Sequence, residues 1–412
     1  VLAPSRSSRS SGRASLIGLL ALSQIVGWGT TFDMPAALGR AMAADLGVPL
    51  SGVMLGLSAM MGAGALAGPA VGRALVRHGA ADVLAVGSIT MAGGLFLMAA
   101  ATAYPFHLAA WVVVGLGGAM ALTTGAHTAV AERRPGDARE TITLLMLLTG
   151  LSATVFLPIL AAAEATVGWR VTLMACGLVQ LLVAAPLHAF ALPRAARTGP
   201  GAVKAGGKTA PFVPTKRPRL AFALIAAVLA VSAFVSFGLS PMLPTLLAAK
   251  GLTPEQAIGV ATARGAIGVS ARALDFAAAG VVGPIVSAIL AAGLVAVSFV
   301  ALGLERLDLW HAGGFVAAYA IGTGIMAVVR STLPLVFFRR EDYGLHMGRL
   351  ALPQNMTIAL APAAFAAFVD AGRIDALADL CLALSSLTVA ALVGLALVRW
   401  DDRHRLTGPR PA

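Results

Sequence analysis

Charge is scarce in this chain: 12% of its 412 residues are Asp, Glu, Lys or Arg, whereas a water-soluble domain carries about 25% and needs them to cover its surface. Too little charge is available for water to be the main solvent. Acidic residues are the scarcer kind, 18 against 30 Lys and Arg, for a net charge of +12. Only two cysteines occur, Cys176 and Cys381. Both lie inside apolar stretches without the neighbours of a metal or redox motif, so they read as small core residues and a disulfide framework is excluded. The seven histidines (78, 107, 127, 188, 311, 346 and 404) have no metal-ligand spacing. A Gly/Lys loop that could cradle a phosphate is missing as well. No metal or cofactor is therefore expected, and the chain does not read as an enzyme.

What is present in abundance is apolar sequence, with 58% hydrophobic residues. It falls into twelve long stretches, six on each side of a basic, Pro/Gly-rich segment. A hydrocarbon core about 30 Å thick needs about 20 apolar residues per helix, which is roughly the length that recurs here. Helices satisfy their own backbone groups in lipid. The expectation is an all-α membrane protein of twelve transmembrane helices in two pseudo-symmetric six-helix bundles. Its parts are a basic tail over 1–14, a first bundle over 15–192, a linker over 193–218, a second bundle over 219–399 and a tail over 400–412. The fifth and sixth stretches are placed at 139–164 and 169–192. The first, 15–43, follows Arg6, Arg9 and Arg13 as a signal peptide would, but it runs past the usual 7 to 15 apolar residues and is read as an uncleaved helix.

A net positive charge also raises nucleic acid as a partner, and the location of the basic residues decides against it. Most lie in the two tails, the linker and the even-to-odd loops, including Arg73 and Arg77, Arg133, Arg134 and Arg139, and Arg339, Arg340 and Arg349. All of these share one face if the count is twelve. The positive-inside rule makes that face, and both termini, cytoplasmic. The linker's Lys and Arg also suit anionic lipid head groups.

An internal repeat supports the division. Gly115-Leu116-Gly117 on the fourth stretch recurs as Gly322-Thr323-Gly324 on the tenth, 207 residues later, and Leu157-Pro158 recurs as Ala361-Pro362. Parallel repeats about an axis normal to the membrane put a substrate site between the halves near the midplane.

Several motifs carry a resemblance to a known family. They are Gln24-Ile25-Val26-Gly27-Trp28-Gly29, Gly72-Arg73 with Arg77-His78-Gly79, Val155-Phe156-Leu157-Pro158, Arg330-Ser331-Thr332-Leu333-Pro334-Leu335 and Gly348-Arg349-Leu350-Ala351-Leu352-Pro353. On these the chain resembles a major facilitator superfamily transporter, and more narrowly the bacterial monocarboxylate and oxalate/formate porters. The resemblance implies a secondary transporter in a bacterial inner membrane, acting as a monomer. It also implies that Gly72, Arg73 and Arg77 serve gating. Two departures stand out. The acidic residue usual before Arg-x-Gly is replaced by Val76, with Ala81 and Asp82 where basic residues are usual. Thr123-Thr124-Gly125 stands where relatives often carry Tyr-Glu-Pro.

Ionisable residues inside apolar stretches mark function, since burying a charge there costs at least about 2.5–3.5 kcal/mol. Arg264 lies ten residues into the eighth stretch, about 15 Å deep, and Arg330 lies about 14 Å from Arg339 on the tenth. A guanidinium keeps its charge and binds carboxylates in a bidentate way, so the two form a candidate anion clamp. Structural pairing is the competing role for each, for Arg330 with Asp342. Arg272 and Asp275 are spaced as an i, i+3 salt bridge and read as structural or gating. Asp33, followed by Pro35, is the candidate proton carrier, with a pair to Arg40 as its competitor. His127 is a second titratable candidate. Polar lining is expected from Gln24, Trp28, Thr123, Thr124, Gln354 and Asn355, although packing or helix-to-helix hydrogen bonds would also employ them.

The reading that follows is a secondary active transporter of a small anionic, monocarboxylate-like solute, working by alternating access with a proton as partner. An efflux pump for a drug, toxic metabolite or metalloid is the alternative. Helix five lacks the Gly-Pro-centred motif common in drug/proton antiporters.

Overall fold

The computed structural model describes residues 6–134, 137–192, 215–278, 282–303, 306–338 and 343–407. All their regular structure is helical. The first half comprises α1 (Arg6–Thr30), α2 (Met34–Leu46), α3 (Leu50–His78), α4 (Ala80–Ala100), α5 (Tyr104–Ala121), α6 (Thr123–Arg133), α7 (Ala138–Thr149) and α8 (Ser152–Val179), followed by π-helical turns over Gln180–Ala184 and Leu187–Ala191. The second comprises α9 (Pro218–Ala249), α10 (Pro254–Ala278), α11 (Pro284–Leu302), α12 (Leu309–Thr332), α13 (Pro334–Phe337), α14 (Tyr343–Asp370) and α15 (Ile374–Thr407). Helix α15 carries the last apolar stretch into the tail expected from residue 400. The linker expected over 193–218 lies outside the described residues as far as position 214.

Ten stretches among the described residues are long and apolar enough to cross a bilayer. One of them, Glu140–Ala191, spans 52 residues, far more than the roughly 20 that a crossing needs. Its helix is interrupted at Gly168, whose φ of 75° and ψ of 165° only glycine adopts freely. This splits it where the fifth and sixth stretches were expected to divide. Helix α10 falls outside the ten because it carries Glu255, Arg264, Arg272 and Asp275. Dividing the one and adding the other gives twelve segments. Large apolar side chains such as Leu66, Phe190, Leu290 and Trp310 are exposed, a surface that lipid covers and water would not.

The chain divides into two compact units, Val1–Gly206 and Gly207–Ala412. Each is built to the same plan. In the first, α4 and α3 pack on α5, while α1, α2 and α4 pack on α8; in the second, α11 and α10 pack on α12, α14 packs on α9, and α11 and α9 pack on α15. A glycine seats a phenylalanine in each. A Cβ built on Gly29 would lie 2.2 Å from the Phe156 ring, and one on Gly238 would lie 2.3 Å from Phe365. Only a side chain of hydrogen lets those helices meet.

The equivalences correct the literal 207-residue match. Gly117 meets Gly87 and Met91 of α4, and the residue meeting Ala291 and Val295 of α11 is Gly322, 205 positions later. Gly115 meets Met60 of α3, and its counterpart against Gly268 of α10 is Gly324, 209 positions later. Residues two apart on a helix face opposite ways, so either order of the glycine pair serves both neighbours.

Four apolar stretches expected as single helices are broken, the fifth between Thr149 and Ser152. The first breaks at Thr31-Phe32-Asp33, just before Pro35, a residue suited to a helix's first turn. Gly29 to Asp45 spans 16 positions and Gly238 to Lys250, its counterpart, spans 12. The first unit thus holds about one extra helical turn where the break occurs. The fourth stretch breaks at Leu122 (φ −87°, ψ −147°) and the tenth before Pro334.

Candidate functional site

In the first unit, polar side chains gather on the break between α1 and α2. Asp33 is buried at 6% exposure, and its carboxylate accepts a hydrogen bond from Ser152 Oγ at the start of α8. Its own backbone N–H reaches back to Trp28 O at 3.0 Å. Thr30 and Thr31 turn their hydroxyls onto Val26 O and Gly27 O, at 2.8 and 2.6 Å. Gln180, on the first π-helical turn, donates from Nε2 to Thr30 Oγ1 at 2.8 Å, while its buried Oε1 has no partner among the described residues. Chain discontinuity, a buried carboxylate and an unused amide oxygen thus coincide. A π turn widens the helix at one point and recurs at functional positions.

The expected lining residues divide around this cluster. Gln24 holds α1 to the break in the fourth stretch, donating from Nε2 to Ala121 O at 2.8 Å. Trp28 is half-buried, meets Phe32 edge-on with ring centroids 5.7 Å apart, and leaves its indole Nε1 buried without a hydrogen-bond partner among the described residues. Thr123 and Thr124 open α6 and are exposed, and His127 is half-buried one turn further on. Sequence reasoning missed Ser152 and Gln180. A lone Gln inside an apolar stretch was the available signal for the second.

In the second unit the arginines form one row. Arg264, Gly268 and Arg272 stand four residues apart on α10, a spacing that stacks them on one face. That face is fixed against α12, because a Cβ on Gly324 would lie 2.6 Å from Gly268 O. The Arg272 Nη2 folds back over Gly268, 3.9 Å from where its Cβ would stand. Helical side chains lean toward the N-terminus, so Arg272 extends toward Arg264. Arg330, on α12, holds its Cζ 5.9 Å from the Phe237 ring of α9, and its buried Nη1 has no hydrogen-bond partner among the described residues. The charges act on one another: Arg264 on Arg272, and Arg272 on Arg330.

Tyr319 joins these groups, and sequence reasoning missed it. Fully buried on α12, it donates its hydroxyl to Ser236 O of α9 at 3.2 Å. One of three tyrosines in the chain, set deep in an apolar stretch, it was visible as an oddity. The carboxylate of Asp275, expected opposite Arg272, accepts from Ser287 Oγ of α11. The Asp342 considered for Arg330 lies outside the described residues. Gln354 is half-buried and lends its backbone O to Thr357, whose hydroxyl also reaches Ala230 O of α9 at 3.0 Å; Asn355 is exposed.

Gly72, Arg73 and Arg77 lie on the last turns of α3, with both arginines exposed. Glu132, on α6, accepts from Ala80 N with both carboxylate oxygens, at 3.0 and 3.2 Å, placing a negative charge on the N-terminus of α4. Beside it Arg134 binds Asp137 through two nitrogens, at 2.9 and 2.6 Å, and Arg13 reaches Glu140 at 2.9 Å. Arg134 holds the Asp137 carboxyl below the usual carboxylate range, chiefly by hydrogen bonding.

Comparisons with known proteins bear on the whole chain. Residues 18–337 match a family model described as Major Facilitator Superfamily. No individual curated protein matches in sequence. Among solved structures, a bacterial homologue of the human lysosomal transporter Spinster, in an inward-facing and occupied conformation, is similar at a TM-score of 0.62 and 15% identity, covering 99% of this chain and 100% of its own. The human organic anion transporter MFSD10 (TETRAN) is similar at 0.66 and 14% identity, covering 92% and 99%.

Proposed function

The chain belongs to the major facilitator superfamily, and on that premise we propose that it is a secondary active transporter of a small organic anion, driven by a proton. The observation that carries this reading is the Arg264–Gly268–Arg272 row, with Arg330 on the neighbouring helix. Guanidiniums keep their charge at membrane depth and offer forked donors to carboxylates. Arg264 and Arg330 are the proposed substrate anchors, and the likeness to monocarboxylate and oxalate/formate porters supports a carboxylate. One structural relative is described as an organic anion transporter, which accords with this.

Asp33 is the proposed proton carrier. A protonated carboxyl is uncharged, and the break between α1 and α2 gives it a local polar shell in Ser152. The protein works by alternating access, as a monomer in a bacterial inner membrane, with its basic termini on the cytoplasmic side. Reconstitution into proteoliposomes tests the reading. Tracer carboxylates are expected to accumulate when a proton gradient is imposed, and Arg264→Gln to abolish the uptake. Movement of a neutral or cationic compound, with no carboxylate carried, would establish the efflux alternative.

A further inference from the structure

The two units brace their last membrane segment by different means. In the first, Gln180 sends its amide across to α1, donating to Thr30 Oγ1 at 2.8 Å and approaching Val26 O at 3.5 Å. Arg170, which pairs with Asp45, and Asp375, which pairs with Lys250, stand 205 residues apart. Ten residues beyond each come Gln180 and Ser385, which are therefore counterparts. By the matched glycines Gly29 and Gly238, Val235 is likewise the counterpart of Val26. A serine is too short to make the crossing that the glutamine makes. Where the amide lies in the first unit, the second has a cavity of about 20 Å³, lined by Val235 and Ser385 among others.

Its walls come from α9, α11, α12 and α15; they include Ser232, Ser236, Thr323, Ser385 and Thr388 and no charged residue. Ser385 is 4% exposed, and its Oγ is buried with no hydrogen-bond partner among the described residues. A hydroxyl left so inside a membrane segment is costly. Around it, Thr323 donates to Tyr319 O at 2.7 Å, Thr388 to Leu384 O at 3.0 Å and Ser232 to Leu229 O at 3.4 Å. Each donation uses the hydroxyl proton and leaves lone pairs that accept. The Ser385 hydroxyl thus stands beside three acceptors. A water needs about 10–15 Å³ of such space and two to four polar partners. It accepts from Ser385 and donates to two of the others. A cation would enter with no carboxylate to offset its charge.

We infer that the second unit binds one ordered water in this cavity, bridging Ser385 of α15 to hydroxyls of its neighbouring helices and taking the place that the Gln180 amide fills in the first unit. The inference is independent of the substrate and of the coupling ion.

The test uses the full-length purified protein in lipid nanodiscs. Short X-ray pulses form hydroxyl radicals from water wherever it is bound, and a methionine beside it is oxidised to the sulfoxide. Met326 lines the cavity at 2% exposure, and Met242, at 0% in the same unit, is the control. Met326 is expected to be oxidised faster than Met242. Ser385→Asn adds two heavy atoms, close to the share of about 30 Å³ that one water takes, and brings its own amide. It should lose the excess oxidation at Met326 and keep the unfolding temperature. Ser385→Ala gives the sharpest sign. With a bridging water it removes a partner and lowers the unfolding temperature; with none it removes an unsatisfied hydroxyl and raises it. Equal oxidation of the two methionines, or a rise with Ser385→Ala, overturns the inference. Stabilisation that grows with sodium or potassium but not with choline makes the occupant a cation and overturns it as well. The comparison of Met326 with Met242 in the unaltered protein decides the main point even if a variant fails to fold.

Discussion

Arg170 Nη2 binds Asp45 Oδ2 at 2.7 Å, joining the end of the first membrane segment to the start of the sixth. In the second unit Lys250 and Asp375 occupy the equivalent positions, each 205 residues later, and pair at 2.6 Å with the charges exchanged. The attraction has been kept while its polarity has been reversed. An ion pair is indifferent to which partner bears which sign, so long as both change. Arg170 has further duties, since Nη1 also binds the carbonyls of Ala99 and Ala101 at 2.7 and 2.8 Å, and its Cζ stacks 4.2 Å from the Trp169 ring.

Asp45→Ala should therefore cost little, below about 1 kcal/mol for a half-exposed pair. Arg170→Ala also strands the two carbonyls at the end of α4 and should cost about 2–3 kcal/mol. The exchange Asp45→Lys with Arg170→Asp should restore the pair but not the carbonyl contacts. Thermal unfolding in detergent is expected to rank the double variant between the two single ones.

The glycine contacts should respond in two different ways. A methyl on Gly238 meets the Phe365 ring at 2.3 Å, whereas one on Gly324 meets the backbone O of Gly268 at 2.6 Å. Each alanine variant should lose about 1–3 kcal/mol through overpacking. Adding Phe365→Leu should recover much of the loss at Gly238. A comparable second change cannot rescue Gly324→Ala, because a backbone oxygen cannot be trimmed. Unfolding temperatures of the single and paired variants decide this.

Asp33→Asn keeps the hydrogen bond with Ser152 within reach but removes a titratable proton. Uptake driven by a proton gradient should fall by about tenfold or more, while exchange of labelled for unlabelled solute continues. Gradient-driven uptake at full rate would remove Asp33 from coupling. Ser152→Ala should leave proton-driven uptake operating with a shifted pH dependence.

The Arg134–Asp137 pair gives the connection between α6 and α7 a pH response of fixed sign. Because the folded protein holds the Asp137 carboxyl below its ordinary range, the pair's stabilisation is fully present above the unfolded pKa of about 4. It is lost as pH falls from there through the lower folded value. Asp137→Asn should flatten the stability profile over that acid range, lowering stability at neutral pH and converging with the unaltered protein at low pH.

The sequence by itself determined what depends on composition and length. A chain this apolar, interrupted about every helix length, has to be a helical membrane protein, since lipid offers its backbone no other partners. Though the depth counted from Arg339 to Arg330 assumed an unbroken helix that the structure divides before Pro334, the place of Arg264 ten residues into its stretch was legible in the same way. The pairing of side chains between helices was not. Gln24 is a polar residue in an apolar stretch whether it lines a cavity or holds Ala121 O, and only the neighbour's position separates those roles. Asp275 accepts from Ser287 of another helix, a contact no local spacing encodes. The break at Asp33 and the row from Arg264 to Arg272 likewise acquired meaning from what packs beside them. Local sequence sets which groups a helix presents; tertiary packing decides which of them are satisfied, and the unsatisfied ones are left for a ligand or a proton.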